Sequence, residues 1–204
     1  MTLPTGPYMD KKEEYISVIR KKLKPQRFQH SLNVADAALK LAELNGADLE
    51  KAYICGLLHD CEKNAPLEEQ KRYMLQLGDE LPDHVLKNPK LWHAPAGACF
   101  IRDELGIVDE DMIRAIKYHT TGRPNMTMLE KVIYVADFIS AERDYPGVEH
   151  VRETAYENID KAILIGSQFT LVSLLEQWRE INYDTIAMYN EMAAEVGDQM
   201  EGHS

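Results

Sequence analysis

Residues 53–63, with the sequence YICGLLHDCEK, determine how the rest of the chain is interpreted. An apolar helical run ends there in His59 and Asp60, and Lys63 follows three residues later. A carboxylate at the end of such a run is costly to bury unless a cation or several hydrogen bonds receive it. The sequence therefore predicts a partner for Asp60, and candidates lie on both sides of it. They are His30 upstream, and His93, His119 and Asp137 downstream.

The length and composition predict an all-α protein, a helical bundle in one domain. The 204 residues suffice for one well-buried domain and are few for two. Leu, Ala, Glu and Lys favour helices, and short turns with Gly or Pro separate the apolar segments. We therefore expect a single domain over residues 1–204, with a core at about 10–190 and a frayed polar tail at about 195–204.

Proline, glycine and capping residues predict where the helices begin and end. Pro25 should end the first helix, Asn45 and Gly46 the second, and Asp48 should cap the third. A looser stretch containing Pro82 and Pro89 is expected before His93. The predicted helices cover about residues 9–23, 27–44, 48–60, 66–77, 94–105, 109–119, 127–140, 148–164 and 167–190.

Charge and cysteine content exclude several classes of protein. A formal net charge of -11 argues against a nucleic-acid partner, whereas a small anionic substrate needs only a local cluster of metal ions and basic groups. No apolar run is long enough for a bilayer, and the N-terminus lacks a secretory signal pattern. The odd set of cysteines without a CxxC pair predicts a reducing, cytoplasmic location and no disulfide. They are Cys55, Cys61 and Cys99.

Each candidate ligand has an ordinary alternative when it is considered alone. His30 fits a hydrogen-bonded core residue, His93 a helix-entry residue, and His119 a cation at a helix C-terminus. Asp137 interrupts an apolar helix, where a buried arginine or an N-cap hydrogen bond would also satisfy it. Considered together, imidazoles and carboxylates are ligands that suit iron, zinc and manganese. The complete set therefore predicts a metal site.

The order and spacing of these residues resemble the HD-domain metal phosphohydrolases, in particular the YqeK branch of symmetrical diadenosine tetraphosphate hydrolases. The dipeptide HD alone is weakly specific, whereas the full spaced set is specific. The resemblance covers about residues 10–190. The matching segments are RFQHSL at 27–32, LLHDCEK at 57–63, HAPAGA at 93–98, IKYHTTG at 116–122 and ADFI at 136–139.

The resemblance implies a dinuclear site, with iron as the metal that the family prefers and manganese or zinc as alternatives. Asp60 would bridge two divalent ions, one completed by His93 and His119. A metal-bridging hydroxide would attack an inner phosphorus of diadenosine tetraphosphate and release two ADP. The family also implies a homodimer. The remaining ligands of the other ion would be His30, His59 and Asp137.

The resemblance and the charges also suggest substrate contacts, each with an ordinary alternative as a surface or turn residue. Lys63 lies about one helical turn beyond Asp60, where an ammonium would meet a phosphate oxygen and act with Asp60 in catalysis. This chain has Ser-Ala-Glu-Arg at 140–143, where many family members carry Glu-Pro before the arginine region. The predicted substrate-binding residues are Arg27, Lys63, Thr121, Arg123, Arg143 and Tyr145.

Three other functions remain open at this point. The first is another HD reaction, by a nucleotidase, a guanosine tetraphosphate hydrolase or a cyclic-nucleotide phosphodiesterase. It is disfavoured because the acidic pair of alarmone hydrolases and the Gly-Tyr-Pro segment of cyclic-dinucleotide enzymes are missing. The second is a non-catalytic nucleotide sensor or scaffold that keeps the ligands for stability. The third is a helical scaffold without metal, which would require all the histidines and aspartates of this set to be core residues by coincidence.

Overall fold

The computed structural model describes residues 3–78 and 83–196, and within these ranges it contains helices and no strand. The predicted all-α class is confirmed. Two short 3-10 turns, Met9–Lys11 and Pro89–Leu91, accompany the α-helices. These are α1 Lys12–Lys22, α2 Pro25–Asn45, α3 Leu49–Leu58, α4 Leu67–Gln76, α5 Asp83–Leu86, α6 His93–Asp103, α7 Glu110–Lys117, α8 Met128–Ile139, α9 Val148–Glu157, α10 Ile159–Glu176 and α11 Tyr183–Val196.

Local sequence signals explain most helix starts. The Asp48 side chain accepts a hydrogen bond from the Lys51 N–H and caps α3, as predicted. Thr127 and Glu130 form a capping box at the start of α8. Pro25 is the first residue of α2. An N–H at this position would have no intrahelical acceptor, so proline is tolerated here, and the helix begins two residues before the predicted start at residue 27.

The C-terminal half differs from the predicted pair of helices at 148–164 and 167–190. The chain forms three helices there, because Asn158 ends α9 and caps α10 by accepting a hydrogen bond from the Lys161 N–H. The predicted break near Gly166 is wrong, since α10 runs through it. A Cβ at Gly166 would lie 3.5 Å from the Phe138 ring, an ordinary van der Waals distance, so packing does not require glycine at this position.

Two further boundaries differ. Helix α3 ends at Leu58, so His59 and Asp60 lie in the following turn rather than in the helix. The stretch before His93, expected to be loose, contains α5 and a 3-10 turn. Pro82 and most of the predicted tail, residues 197–204, lie outside the described residues, and the single-domain boundary stays a prediction.

The core is built where α2 packs against α3 and α8. Gly56 of α3 faces the backbone of α2, and a Cβ there would lie 2.8 Å from the Ala35 Cα. Only glycine allows this close crossing, which brings the middle of α2 beside the C-terminal end of α3. The crossing thereby sets His30 against His59. Among the described residues, none of the helices has both the length and the apolar character required to traverse a bilayer.

Candidate metal centre

The structure brings all six predicted ligands into one cluster at the centre of the bundle. His30 lies within α2 and Asp137 within α8, while His93 is the first residue of α6. The turns after α3 and α7 contribute the others. All except Asp137, whose side chain is 23% exposed, are buried. The ligands that follow α3 and α7 are His59, Asp60 and His119.

Asp60 lies between two pairs of imidazoles. Its Oδ1 atom lies 3.4 Å from the Nε2 atoms of both His93 and His119. Its Oδ2 atom lies 3.5 Å from Nε2 of His59 and 3.9 Å from Nε2 of His30. Each oxygen of this carboxylate therefore faces a different pair of nitrogen atoms, which is the arrangement that a ligand shared between two cations requires.

Asp137 joins the Oδ2 side of the cluster. Its Oδ1 atom lies 3.1 Å from Nε2 of His30, and that nitrogen lies 3.2 Å from Nε2 of His59. Two imidazole nitrogens this close suit a shared cation. Three sets of residues each place their donor atoms within 4.8 Å of one another. They are His30 with His59 and Asp60, His59 with His119 and Asp137, and Asp60 with His93 and His119.

Hydrogen bonds on the far side of three rings fix which nitrogen faces the cluster. The Nδ1 atom of His59 donates to the Gly56 carbonyl at 2.7 Å, and that of His119 donates to the Ile116 carbonyl at 2.8 Å. Because a carbonyl only accepts, Nε2 of both rings carries the lone pair that a metal needs. His30 sits in mid-helix, and its Nδ1 pairs with Glu142.

Glu142 is a neighbour of the cluster that the sequence did not suggest. It also accepts hydrogen bonds from Asn33 Nδ2 at 2.6 Å and from Ser140 Oγ at 2.8 Å. Burial acts to raise the pKa of its carboxyl group, but hydrogen bonds led by those from His30 and Asn33 lower that pKa to about 2. The sequence draws attention to the Ser-Ala-Glu-Arg segment that contains this residue. No local pattern, however, indicates that the segment contacts α2.

Three predicted basic residues lie at the cluster. Arg27 Nη1 donates to Asp60 Oδ2 at 2.8 Å, and Arg143 pairs with Asp137. Lys63 Nζ lies 3.9 Å from Asp60 Oδ1 and 2.9 Å from His93 Nε2. Burial lowers the pKa of the Lys63 ammonium, although Asp60 opposes that effect.

Electrostatics keep the central carboxylate ionised. Burial raises the pKa of Asp60, yet His59 and His119 outweigh it, together with Lys63, and hold that pKa well below its ordinary range. Asp60 therefore offers two charged oxygens inside a buried volume. Four imidazole nitrogens and the oxygens of Asp60 and Asp137 fit divalent transition metals by number and by chemistry.

Two openings flank the cluster. On the Oδ2 side is a groove of about 340 Å³, whose walls include basic side chains. On the Oδ1 side is a cavity of about 230 Å³. The groove is lined by Lys24, Gln26, Arg27, His30, Asn64, Glu142 and Arg143. The sequence did not suggest Lys24 or Asn64 as part of the site.

The structure does not bring the other predicted substrate residues to the ligands. Arg123 forms a two-point ion pair with Glu130, at 2.6 and 2.7 Å. Tyr145 packs edge-on against Phe169, and its buried hydroxyl has no hydrogen-bond partner among the described residues. Thr121 lines the cavity and donates its hydroxyl to the next carbonyl. Their assignment as substrate contacts stays a prediction.

Comparisons with known proteins identify the family. The model of the HD domain matches residues 27–142. The chain is 42% identical to a symmetrical bis(5'-nucleosyl)-tetraphosphatase of Bacillus subtilis (strain 168), over 88% of this chain and 96% of that protein. It is 38% identical to a protein of the same name from Staphylococcus aureus (strain NCTC 8325 / PS 47), over 84% and 89%.

A solved structure has the same fold. The crystal structure of a predicted HD superfamily hydrolase involved in NAD metabolism, from Clostridium acetobutylicum, covers 90% of this chain. It superposes with a TM-score of 0.87 at 37% identity, and 97% of that chain is covered. The chain therefore belongs to the HD-domain family and, within it, to the family of the symmetrical bis(5'-nucleosyl)-tetraphosphatases.

Proposed function

We propose that this protein hydrolyses diadenosine tetraphosphate symmetrically, using two divalent metal ions per chain. One water adds across the central P–O–P bridge, so that the products are two ADP. The single observation that carries the proposal is Asp60, whose two oxygens face separate pairs of imidazole nitrogens. The names of the relatives supply the substrate.

The ligands divide between the two ions according to the carboxylate oxygen that they face. His30, His59 and Asp137 would hold one ion with Asp60 Oδ2. The second would be held by Asp60 Oδ1 with the imidazoles of α6 and the turn after α7. When bound, such a pair activates a water molecule and neutralises the charge that develops on the phosphoryl oxygens. We propose iron, and manganese and zinc also suit these ligands.

Basic side chains would bind and orient the polyphosphate. Lys63 lies beside the oxygen of Asp60 that faces the second ion, so its ammonium is placed to donate to an oxygen of the phosphoryl group under attack. Arg27 and Arg143 line the groove on the opposite side and suit the outer phosphates. These groups supply charge where the overall negative protein would repel the substrate.

Three finer predictions belong to the same proposal. A homodimer follows from the resemblance alone. A cytoplasmic location is supported by three buried free thiols, at Cys55, Cys61 and Cys99. The substrate class is a dinucleoside polyphosphate and the product a nucleoside diphosphate, with neither nucleic acid nor membrane as partner.

The test is hydrolysis of diadenosine tetraphosphate by the purified protein, with metal analysis of the same sample. Two ADP and about two metals per chain are expected. Asp60→Asn should abolish metal occupancy and turnover, whereas the control Asp10→Asn, at an exposed residue, should change neither. ATP with AMP as products would reject the attack position. Metal without turnover would favour the nucleotide-sensor alternative.

A further inference from the structure

The cavity on the Oδ1 side is not accounted for by metal binding. Thr120 connects it to the cluster, because its hydroxyl lies 3.1 Å from Nε2 of both His93 and His119 and the residue also lines the cavity. A ligand in this cavity would therefore lie directly beside the second metal position. The lining of the cavity includes the apolar or aromatic residues Leu91, Pro95 and Tyr118 and the polar residues Thr120 and Asn182.

The two openings differ in chemistry. The groove contains two arginines and a lysine. Among the described residues that line it, the only ring is the imidazole of His30, and every one of them is polar or charged. The cavity instead combines the apolar Leu91 and Pro95 with the ring of Tyr118 and several polar groups. An apolar and aromatic wall with a few fixed polar atoms suits a nucleoside, whereas clustered cations suit phosphates. A dinucleoside tetraphosphate has two identical halves, but this site does not.

We propose that the cavity binds the nucleoside of one half of the substrate while the groove binds the phosphates of the other half. The two chemically equal halves are thus recognised differently. This inference rests on the proposed function for the identity of the ligand. The proposal assigns recognition of the base or ribose to the start of α11, a helix that contains none of the predicted metal ligands.

Asn182 supplies the polar group that orients the nucleoside. Its Oδ1 accepts hydrogen bonds from the N–H groups of Asp184, at 2.7 Å, and Thr185, at 3.3 Å, so the orientation of the amide is fixed. Its Nδ2 is buried and has no hydrogen-bond partner among the described residues. A buried donor without an acceptor is destabilising. Nδ2 is closed off from the cavity that Asn182 lines, so a nucleoside would have to displace the wall at this residue before one of its acceptor atoms could satisfy the donor.

A hydrogen bond ties this helix to the metal cluster. Thr185 Oγ1 donates to the Thr121 carbonyl at 2.8 Å, two residues after His119. The position of Asn182 is therefore coupled to that of a metal ligand. A nucleoside held by α11 would be held at a defined distance from the phosphorus that reacts.

The first test is Asn182→Asp. The variant keeps an oxygen that caps α11 and replaces the free donor by an acceptor. We expect KM for diadenosine tetraphosphate to rise about tenfold with metal content unchanged. The matched control is Asn158→Asp, the same change at the cap of α10, which should leave KM unchanged. Equal KM values for both variants and the wild type would overturn the role of Asn182.

The second test fills the cavity. Leu91→Trp should raise KM at least tenfold and weaken the binding of ADP, measured by calorimetry on metal-loaded protein. Leu175→Trp, at a side chain that is 61% exposed on α10, is the control for bulk. Unchanged affinity for ADP in Leu91→Trp would overturn the proposal. If the wild-type protein bound ADP but did not cleave diadenosine tetraphosphate, the proposed function would be rejected. The ADP affinities of the variants would still show whether the cavity binds the nucleoside.

The third test removes one nucleoside. Adenosine tetraphosphate keeps one half intact, and hydrolysis between its second and third phosphates gives ADP and pyrophosphate. Because one nucleoside occupies the cavity and only phosphates occupy the groove, we expect its kcat/KM to lie within about threefold of that for the dinucleotide. A loss of 100-fold or more would show that both nucleosides are recognised and would refute the asymmetric arrangement.

Discussion

Removal of the Glu142 carboxylate should weaken one metal site and spare the other. In the structure, Glu142 is the partner of His30 Nδ1, whereas His59 and His119 donate Nδ1 to carbonyl groups of their own turns. Glu142→Ala therefore frees one imidazole of the Oδ2 side and leaves the rings of the Oδ1 side as they are. Among the described residues, Glu142 forms no hydrogen bond or ion pair with His93.

The size of the effect follows from the burial of the carboxylate. Loss of a hydrogen-bond partner behind a metal-bound imidazole typically costs 10–100-fold in affinity. The Glu142 side chain is 36% exposed, so solvent screens its charge, and we expect a loss of about tenfold, or about 1.4 kcal/mol. Glu142→Gln keeps an acceptor oxygen for Nδ1 and should lose less.

The measurement is titration of metal-free protein with Mn²⁺ or Fe²⁺, with calorimetry or chelator competition to resolve two affinities. The control is Glu153→Ala, at an exposed residue of α9. One weakened and one unchanged affinity is expected for Glu142→Ala. Two unchanged affinities, or an equal loss at both sites, would refute the inference that His30 is the only predicted metal ligand on which Glu142 acts.

Three other changes test separate parts of the structure. Lys63→Ala should keep both metals and lower kcat about 100-fold, and a wild-type kcat would return Lys63 to a surface role. Gly56→Ala should destabilise the fold by about 1–3 kcal/mol by forcing α3 from α2, measured by thermal unfolding, whereas Gly166→Ala meets only ordinary contacts and should not lower Tm. Burial, together with Asp103, raises the pKa of the Cys99 thiol to about 12, so it stays protonated below that pH; mass spectrometry after iodoacetamide treatment at pH 8 should find it unmodified unless the protein is unfolded.

The parts of this protein that sequence predicts best are those set by local chemistry. Asp48 caps α3 because a side-chain oxygen reaches an N–H three residues away, and no distant residue is needed. The convergence of the six His and Asp residues was also predictable, since buried His and Asp side chains have few other stable partners. The predicted break before residue 167 is wrong because glycine is typical of helix ends, whereas Gly166 lies inside α10 with the Phe138 ring at an ordinary van der Waals distance.

The unpredicted parts depend on contacts between distant segments. Glu142 reaches His30 across 112 positions of sequence, and no spacing rule links them. Arg123 has the right chemistry for a phosphate ligand, but its ion pair with Glu130 through Nε and Nη2 depends on how the turn after α7 meets α8, which no local pattern predicts. Asn182 follows a turn that contains no recognisable motif. Its proposed role depends on the cavity that it lines at the start of α11.

The origin of the ligands in separate helices has a consequence for folding. Donors from α2, α6 and α8 and from the turns after α3 and α7 converge on one point, so a bound ion acts as a cross-link between segments far apart in the chain. An ion present at 100 times its dissociation constant stabilises the native state by about 2.7 kcal/mol, a substantial part of the stability of a typical domain. If the ions bind as proposed, the supply of metal would set both the fraction of this protein that stays folded and its rate of hydrolysis.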